Sequence, residues 1–308
     1  MTILFYYPGA IEHRTPQGHP ERPERMRAVE TALAAETFQN LDRRLPEPAD
    51  IETVTLAHPE EWVRAIIDAA PKEGLVGIDG DTVLSPGTIN VVLRGVGAAV
   101  QGVDAVMAGE AQNAFSAMRP PGHHAERTKA MGFCFFNNAA IAARHAQTKH
   151  GAERVAIVDW DVHHGNGSQD IFWADPSVLF CSTHQMPLYP GTGAVGERGD
   201  HDTIVNAPLR PGDDGETFRE AFESRILPRL DAFRPDLIII SAGFDAHWRD
   251  PLANLRLEAA DFAWATRKVM ETARRHSGGR IVSLLEGGYD LQGLGESTAA
   301  HVAALMEG

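Results

Sequence analysis

Stretches that are apolar along their whole length alternate with stretches of helical periodicity. That alternation predicts an α/β fold, a mainly parallel central sheet with helices on both faces. Two further observations support it. Each apolar stretch ends in glycine, a polar side chain or both, as strands of an open parallel sheet do where they build a site. The 308 residues, 43% of them hydrophobic, can bury a large core, and no internal repeat, low-complexity tract or linker divides them. Residues 1–308 therefore read as a single domain.

Ile3–Tyr7 is the first expected strand. His13–Arg25 is too rich in proline and charge to be regular and reads as an ordered surface loop. A helix is expected from near Pro23 to about Glu36, with Met26, Val29 and Leu33 on one face. Ile51–Leu56 alternates like a strand, and His58–Ala70 suits a helix. Gly74–Ser85, glycine-rich and acidic, is expected as a loop reaching toward the site. Between Pro86 and Glu110, Val92, Val96, Val100, Val103 and Val106 recur at helical spacing, and Gly95, Gly97 and Gly102 permit close packing. Strands are then expected at Asn113–Ala117, Val155–Val158, Val178–Ser182, Thr203–Asn206, Leu237–Ser241 and Arg280–Leu285. Helices are expected at Asn137–His150, Glu216–Phe233 (broken near Pro228), Glu258–His276 and Gly293–Met306, with a long connection over Arg119–Phe135.

The net charge of −14 argues against a nucleic-acid backbone as partner. An acidic surface tolerates or attracts cationic ligands such as basic tails or polyamines, plain solubility being the other reading. Cys134 and Cys181 make no disulfide framework and no C-x-x-C pair, which fits a reducing cytoplasm. The first residues, MTILFYYPGAIEHR, lack a basic segment before a long apolar one, so no signal peptide is expected. No run approaches about 18 consecutive apolar residues, so no membrane partner is expected either. The assembly state is left open, a homo-oligomer included.

The chemistry centres on Val155–Gly167, VAIVDWDVHHGNG. A short apolar strand runs into Asp159, Trp160, Asp161, Val162, His163 and His164, and Gly165 and Gly167 let the chain turn away. Asp161 and His163, two apart in extended backbone, would point to one side and can share a metal ion. Carboxylate plus imidazole suits zinc or iron(II) better than calcium or magnesium. A hydrolytic site needs about three protein ligands and an open position, and Asp245, after the Leu237–Ser241 strand, is the third candidate. By itself Asp245 reads equally well as a turn residue. His123 and His124 follow Pro120-Pro121-Gly122, which can direct both imidazoles into one pocket to divide acid–base work. Asp159 and Asn166 are the available orienting partners: an anionic aspartate holds a histidine cationic, a neutral asparagine does not. Tyr289, in Glu286-Gly287-Gly288-Tyr289, could donate to an oxyanion, though a lone tyrosine after two glycines more often serves packing. Gly132, Phe133 and Tyr189 fit the walls of a narrow channel or a core.

In this order the segments HPERPER, RPPGHH, MGFCFFNN, VDWDVHHGNG, STH, YPGTG, SAGFDAH and EGGYD resemble the histone deacetylase superfamily of metal-dependent amidohydrolases, which shares its fold with arginase. The resemblance covers nearly the whole chain. Asn166 and the HPERPER loop look like the class II branch with its bacterial members. The resemblance implies a three-layer arginase/deacetylase-type sandwich and Asp161, His163 and Asp245 as ligands of zinc, or of iron(II). It implies His124 as general base and acid, His123 as electrostatic partner held by Asp159, and Tyr289 as the carbonyl-polarising phenol. Asn166 stands where class I members carry an aspartate beside His124, so no anionic relay carries over there. Some members have histidine in place of the tyrosine and are poor catalysts; Tyr289 implies activity. Gly132, Phe133 and Tyr189 match the acyl-lysine tunnel, and Arg25 an interior arginine behind the site. A structural potassium ion is implied near Asp159, Asp161, His163, Ser182 and Thr183, largely through backbone oxygens. The implied reaction is hydrolysis of N-acetyl-lysine side chains in proteins or peptides. Polyamine-selective members tend to carry an acidic gatekeeper where this chain has Leu252, which favours acyl-lysine; the charge of −14 keeps an acetylated polyamine as the alternative substrate, and a catalytically weak acyl-binding module is the alternative of another class. An arginase-like ureohydrolase is disfavoured because its paired-metal aspartate pattern is absent.

Overall fold

The computed structural model describes all 308 residues, Met1–Gly308. In chain order, β1 (Thr2–Phe5) leads through the proline-rich loop to α1 (Glu24–Ala32) and a short edge strand, β2 (Asp42–Arg44). Helices α2 (Ile51–Val54) and α3 (Glu60–Asp68) precede a small antiparallel pair, β3 (Val76–Gly77) and β4 (Val83–Leu84), and the long α4 (Thr88–Met107). Then come β5 (Asn113–Ser116), α5 (Asn138–His150), β6 (Val155–Asp159), α6 (Asn166–Phe172), β7 (Val178–Gln185) and β8 (Ile204–Leu209). The last part holds α7 (Gly215–Ala221), α8 (Leu227–Phe233), β9 (Leu237–Ala242), α9 (Ala259–His276), β10 (Ile281–Leu285) and α10 (Leu291–Met306).

Eight strands form one sheet in the order β2-β1-β5-β10-β9-β6-β7-β8, and every pairing in it is parallel. Strand side chains alternate between faces, so both faces need cover. Along β6, Ala156 and Val158 join one core with Met26, Phe222, Phe262 and Val302, while Val155 and Ile157 join the other with Val63, Val96, Ile141 and Phe172. The sheet is thus a middle layer between α1, α7, α8, α9 and α10 on one side and α3, α4, α5 and α6 on the other. Burying each such Val, Ile or Phe side chain contributes about 1.5–3 kcal/mol, which is why strands apolar throughout settle here. α4 is long and apolar enough by composition to cross a membrane; it lies largely buried in the second of these cores.

Several expectations need correction. Ile51–Leu56 is not a strand: Asp50 Oδ1 accepts from the Thr53 amide at 2.8 Å and caps α2. A side-chain cap of this kind overrides β-branched propensity in a short segment. β7 runs on to Gln185, so Thr183 and His184, like Ser182, lie inside the strand rather than after it. The Gly74–Ser85 loop contains the small β3–β4 pair. The stretch Glu216–Phe233 is helical but interrupted by a π turn at Phe222–Ile226, just before Pro228. Two elements were not expected, the charged β2 and the helix α6. Gly165 does not turn the chain through a positive φ: at φ −74° it caps α6, and a Cβ there would strike Asp159 Oδ2. The glycine allows close approach to the site, which is a packing need rather than a torsional one.

Candidate functional site

Four neighbouring strands, β5, β10, β9 and β6, send their carboxyl ends to one edge. β5 leads to His123 and His124, β6 to Asp159, Asp161 and His163, β9 to Asp245, and β10 to Glu286 and Tyr289. All eight are at most 8% exposed.

Asp161, His163 and Asp245 present one ligand atom each within 4.8 Å of one another. They lie on bends beyond the strands, so turn geometry rather than extended backbone brings Asp161 and His163 together. His163 Nδ1 lies 3.2 Å from Asp161 Oδ1 and 3.1 Å from Asp245 Oδ2. Backbone amides fix both carboxylates: Val162 donates to Asp245 Oδ1 at 2.8 Å, and Gly287 to Asp161 Oδ2 at 2.8 Å. A Cβ at Gly287 would strike both carboxylates, so glycine is required there. Burial pulls the His163 imidazole down, but the two carboxylates outweigh it and raise its pKa to about 10. Burial and the Asp161 charge push Asp245 up to about 7. Asp159 and Glu286 add two more buried carboxylates. A pocket this rich in buried negative charge calls for cations, and its N/O donor set fits a zinc-like divalent ion.

The tandem histidines share the pocket, their ring centroids 4.1 Å apart. His123 Nδ1 donates to Asp159 Oδ2 at 2.9 Å. Burial opposes the charged form of His123, but Asp159 and Asp161 raise its pKa well above the ordinary value. His124 Nδ1 donates to Asn166 Oδ1 at 2.7 Å, leaving Nε2 with a free lone pair. Burial, then the charges of His123 and His163, hold His124 well below its ordinary value. One imidazole is thus kept cationic and its neighbour kept neutral.

Tyr289 is 6% exposed, and its pKa is raised by burial, with Arg25 opposing, so the phenol stays a donor. The Arg25 guanidinium lies 4.9 Å from the Tyr289 ring centroid. Phe133 meets Tyr289 edge-on at 5.7 Å, and Tyr189 meets His124 edge-on at 5.2 Å. Tyr189 is 39% exposed, so it reaches the mouth of the site while its ring touches the base. The β3–β4 segment does reach the wall: Thr82 Oγ1 accepts from the Phe133 amide at 3.0 Å. Gly132 packs on His124, and a Cβ there would strike its ring. Leu252 is half-buried, and its amide donates to Asp250 Oδ1 at 3.0 Å. Ser182 lies beside Asp159 in the β6–β7 register, its Oγ 2.8 Å from His184 Nδ1; Thr183 is buried, its hydroxyl without a partner.

Five supporting residues carry no role in the sequence reading. Glu126 Oε1 accepts from Asn166 Nδ2 at 2.7 Å and so turns the amide oxygen toward His124. Glu286 Oε2 accepts from the Gly122 and His123 amides at 2.6 and 3.2 Å. Asp250 Oδ2 accepts from the Tyr289 amide at 2.7 Å. Glu21 pairs with Arg25 at 3.2 Å and with Arg119 at 2.5 Å, all three fully buried. Asp81, half-buried beside Thr82, acts with Asp79 and Glu126 on Tyr189, whose phenol pKa is raised first by burial and then by these carboxylates. An acid beside a glycine or proline was the available signal for Glu286, Asp250 and Glu21.

A histone deacetylase domain profile matches residues 19–305. A Synechocystis protein, uncharacterized protein slr0245, is 42% identical over 99% of this chain and 100% of its own length. The histone deacetylase-like amidohydrolase of Pseudomonas aeruginosa is 40% identical over 91% of this chain and 75% of its own. Among solved structures, the HD domain of HDA15 superposes with a TM-score of 0.93 at 34% identity, covering 99% of this chain and 89% of that one.

Proposed function

The chain belongs to the histone deacetylase family, and from that premise we infer that it is a zinc-dependent deacetylase of N-acyl-lysine side chains in proteins or peptides. The observation that carries this reading is the convergence of Asp161, His163 and Asp245 beside one cationic and one neutral histidine. Those three side chains would hold a divalent ion, zinc or iron(II), which would supply Lewis acidity toward the acyl carbonyl and water. His124 Nε2 takes the proton of the attacking water and later returns it to the leaving amine. His123, kept positive by Asp159, stabilises negative charge developing on the acyl group. The Tyr289 phenol donates to the acyl oxygen, and Phe133 and Tyr189 enclose the alkyl chain and exclude water. Asp159 and Ser182, side by side in register, with the buried hydroxyl of Thr183 and the main chain at Asp161 and His163, offer the oxygen donors a structural potassium ion would use. Two buried free thiols, Cys134 and Cys181, support a cytoplasmic setting.

Asp79, Asp81 and Glu126 near Tyr189 favour a second reading, an acetylated polyamine, whose amines such carboxylates would attract. Leu252 in place of an acidic gatekeeper favours the peptide. The test is turnover of zinc-loaded protein on an acetyl-lysine peptide and on N8-acetylspermidine, each with a chelator control. Chelator-sensitive cleavage of the peptide is expected. Preference for the spermidine would assign the polyamine reading, and silence on both with metal bound would leave a weak acyl-binding module.

A further inference from the structure

A second convergence of metal-ligating side chains lies between α4 and α5. Asp104 sits in the last turn of α4, and His145 and His150 in the carboxyl-terminal half of α5. His150 is the last residue of its helix, and Gly151 then turns the chain at φ 68°. The Nε2 atoms of both histidines lie 2.7 Å from one oxygen, Asp104 Oδ1. The two ring centroids are 5.7 Å apart, and the three ligand atoms all fall within 4.8 Å of one another.

As a simple ion pair this arrangement is poor. Two imidazoles share one acceptor oxygen, and if both are charged they repel at close range. A single divalent ion in place of the two ring protons satisfies all three groups at once. Ligand bonds of about 2.0–2.1 Å at tetrahedral angles put ligand atoms about 3.3–3.4 Å apart, so each N···O separation has to open by about 0.6–0.7 Å, within reach of a side-chain rotation. The Asp104 carboxylate is 47% exposed and the histidines 15% and 22%, which leaves an entry path and room for water as a further ligand. Two imidazoles and a carboxylate suit zinc and the late first-row divalent ions.

We propose that Asp104, His145 and His150 form a second divalent-metal site, distinct from the deacetylase centre, that clips α4 to α5. Equilibrium dialysis of the full chain against micromolar Zn²⁺, followed by metal analysis, counts the sites. Two ions per chain are expected, falling to one in Asp104→Asn and in the double variant His145→Gln/His150→Gln, with unchanged circular dichroism. A count unchanged in those variants would overturn the proposal. Asp161→Asn/Asp245→Asn separates the two readings: it should lose the other ion and keep this one. If it loses nothing while Asp104→Asn does, the catalytic-metal reading fails and this site stands. Cu²⁺ added to Asp161→Asn/Asp245→Asn gives a readout that needs no change in the cluster itself. Electron paramagnetic resonance should then show coupling to two imidazole nitrogens, and a spectrum without it would overturn the site.

Discussion

His123 and His124 are adjacent, with their rings close and tilted against each other, yet differ in charge because Asp159 is an anion and Asn166 is not. A general base works only while neutral, and the depressed pKa of His124 keeps it neutral well into the acid range. Replacing Asn166 with Asp puts an anion against Nδ1 and raises that pKa, so the acid limb of the kcat/KM profile should move to higher pH. An unmoved profile would count against His124 as the base. Tyr289→Phe removes only the phenolic donor. It should cut kcat by about 10²–10³ with metal content unchanged, and undiminished turnover would remove Tyr289 from the mechanism. Chemistry at this scale was largely legible, because residue type and order along the chain mark it. The supporting acids were not: Glu286 and Asp250 act through backbone amides of residues 39 to 164 positions away, which no local pattern encodes.

At the scale of elements, the turn between β10 and α10 is held from behind. Arg25, in α1, donates to the Gly288 carbonyl at 2.7 Å and to the Glu286 carbonyl at 2.5 Å, and its charge is compensated by Glu21. A guanidinium can reach both carbonyls at once where an ammonium cannot. Arg25→Lys should therefore lower kcat by about 10²-fold through misplacement of Tyr289, with KM and metal content little changed. A variant with normal kcat would show that the turn holds itself. Strands such as Leu237–Ala242 were plain in the sequence because burial on both faces makes a run such as Leu237 to Ile240 apolar at consecutive positions. β2 was invisible because an edge strand needs only its backbone to pair, and Asp42-Arg43-Arg44 shows nothing but charge. α2 was misread because an alternating pattern and an aspartate cap compete over six residues, and the cap prevailed.

Across the whole molecule, several histidines are buried in their neutral form. His58 donates from Nδ1 to the Arg127 carbonyl at 3.1 Å and accepts at Nε2 from the Asn137 amide at 2.9 Å, which a protonated ring cannot do. Burial pushes His58 and His184 down to about 4 and His301 down to about 3. The unfolded chain binds these protons near pH 6.5 and the folded one does not, so the stability these three histidines allow falls as pH drops from 6.5 toward 4. His123, cationic in the fold throughout, and the buried carboxyls of Asp245 and Glu286, raised to about 7, and of Asp250, raised to about 6, bind protons in the fold before the unfolded chain does and offset part of that fall. Each such histidine should contribute a loss of about 1–2 kcal/mol between pH 6.5 and 5. Urea titrations of the protein and of His301→Asn at the two pH values isolate one of them: a weaker pH dependence in the variant is expected, and an equal one would contradict it. The parallel sheet has a consequence for synthesis as well. β10 lies between β5 and β9, although it is the last strand made. While a ribosome is still extending the chain toward Ile281, β5 and β9 lack the neighbour that joins them, and Gly287 is not there to hold Asp161. A nascent chain stalled before that point would expose unfinished strand edges to chaperones and hold no ordered ligand set. Metal would be acquired only after β10 has threaded into the middle of the sheet.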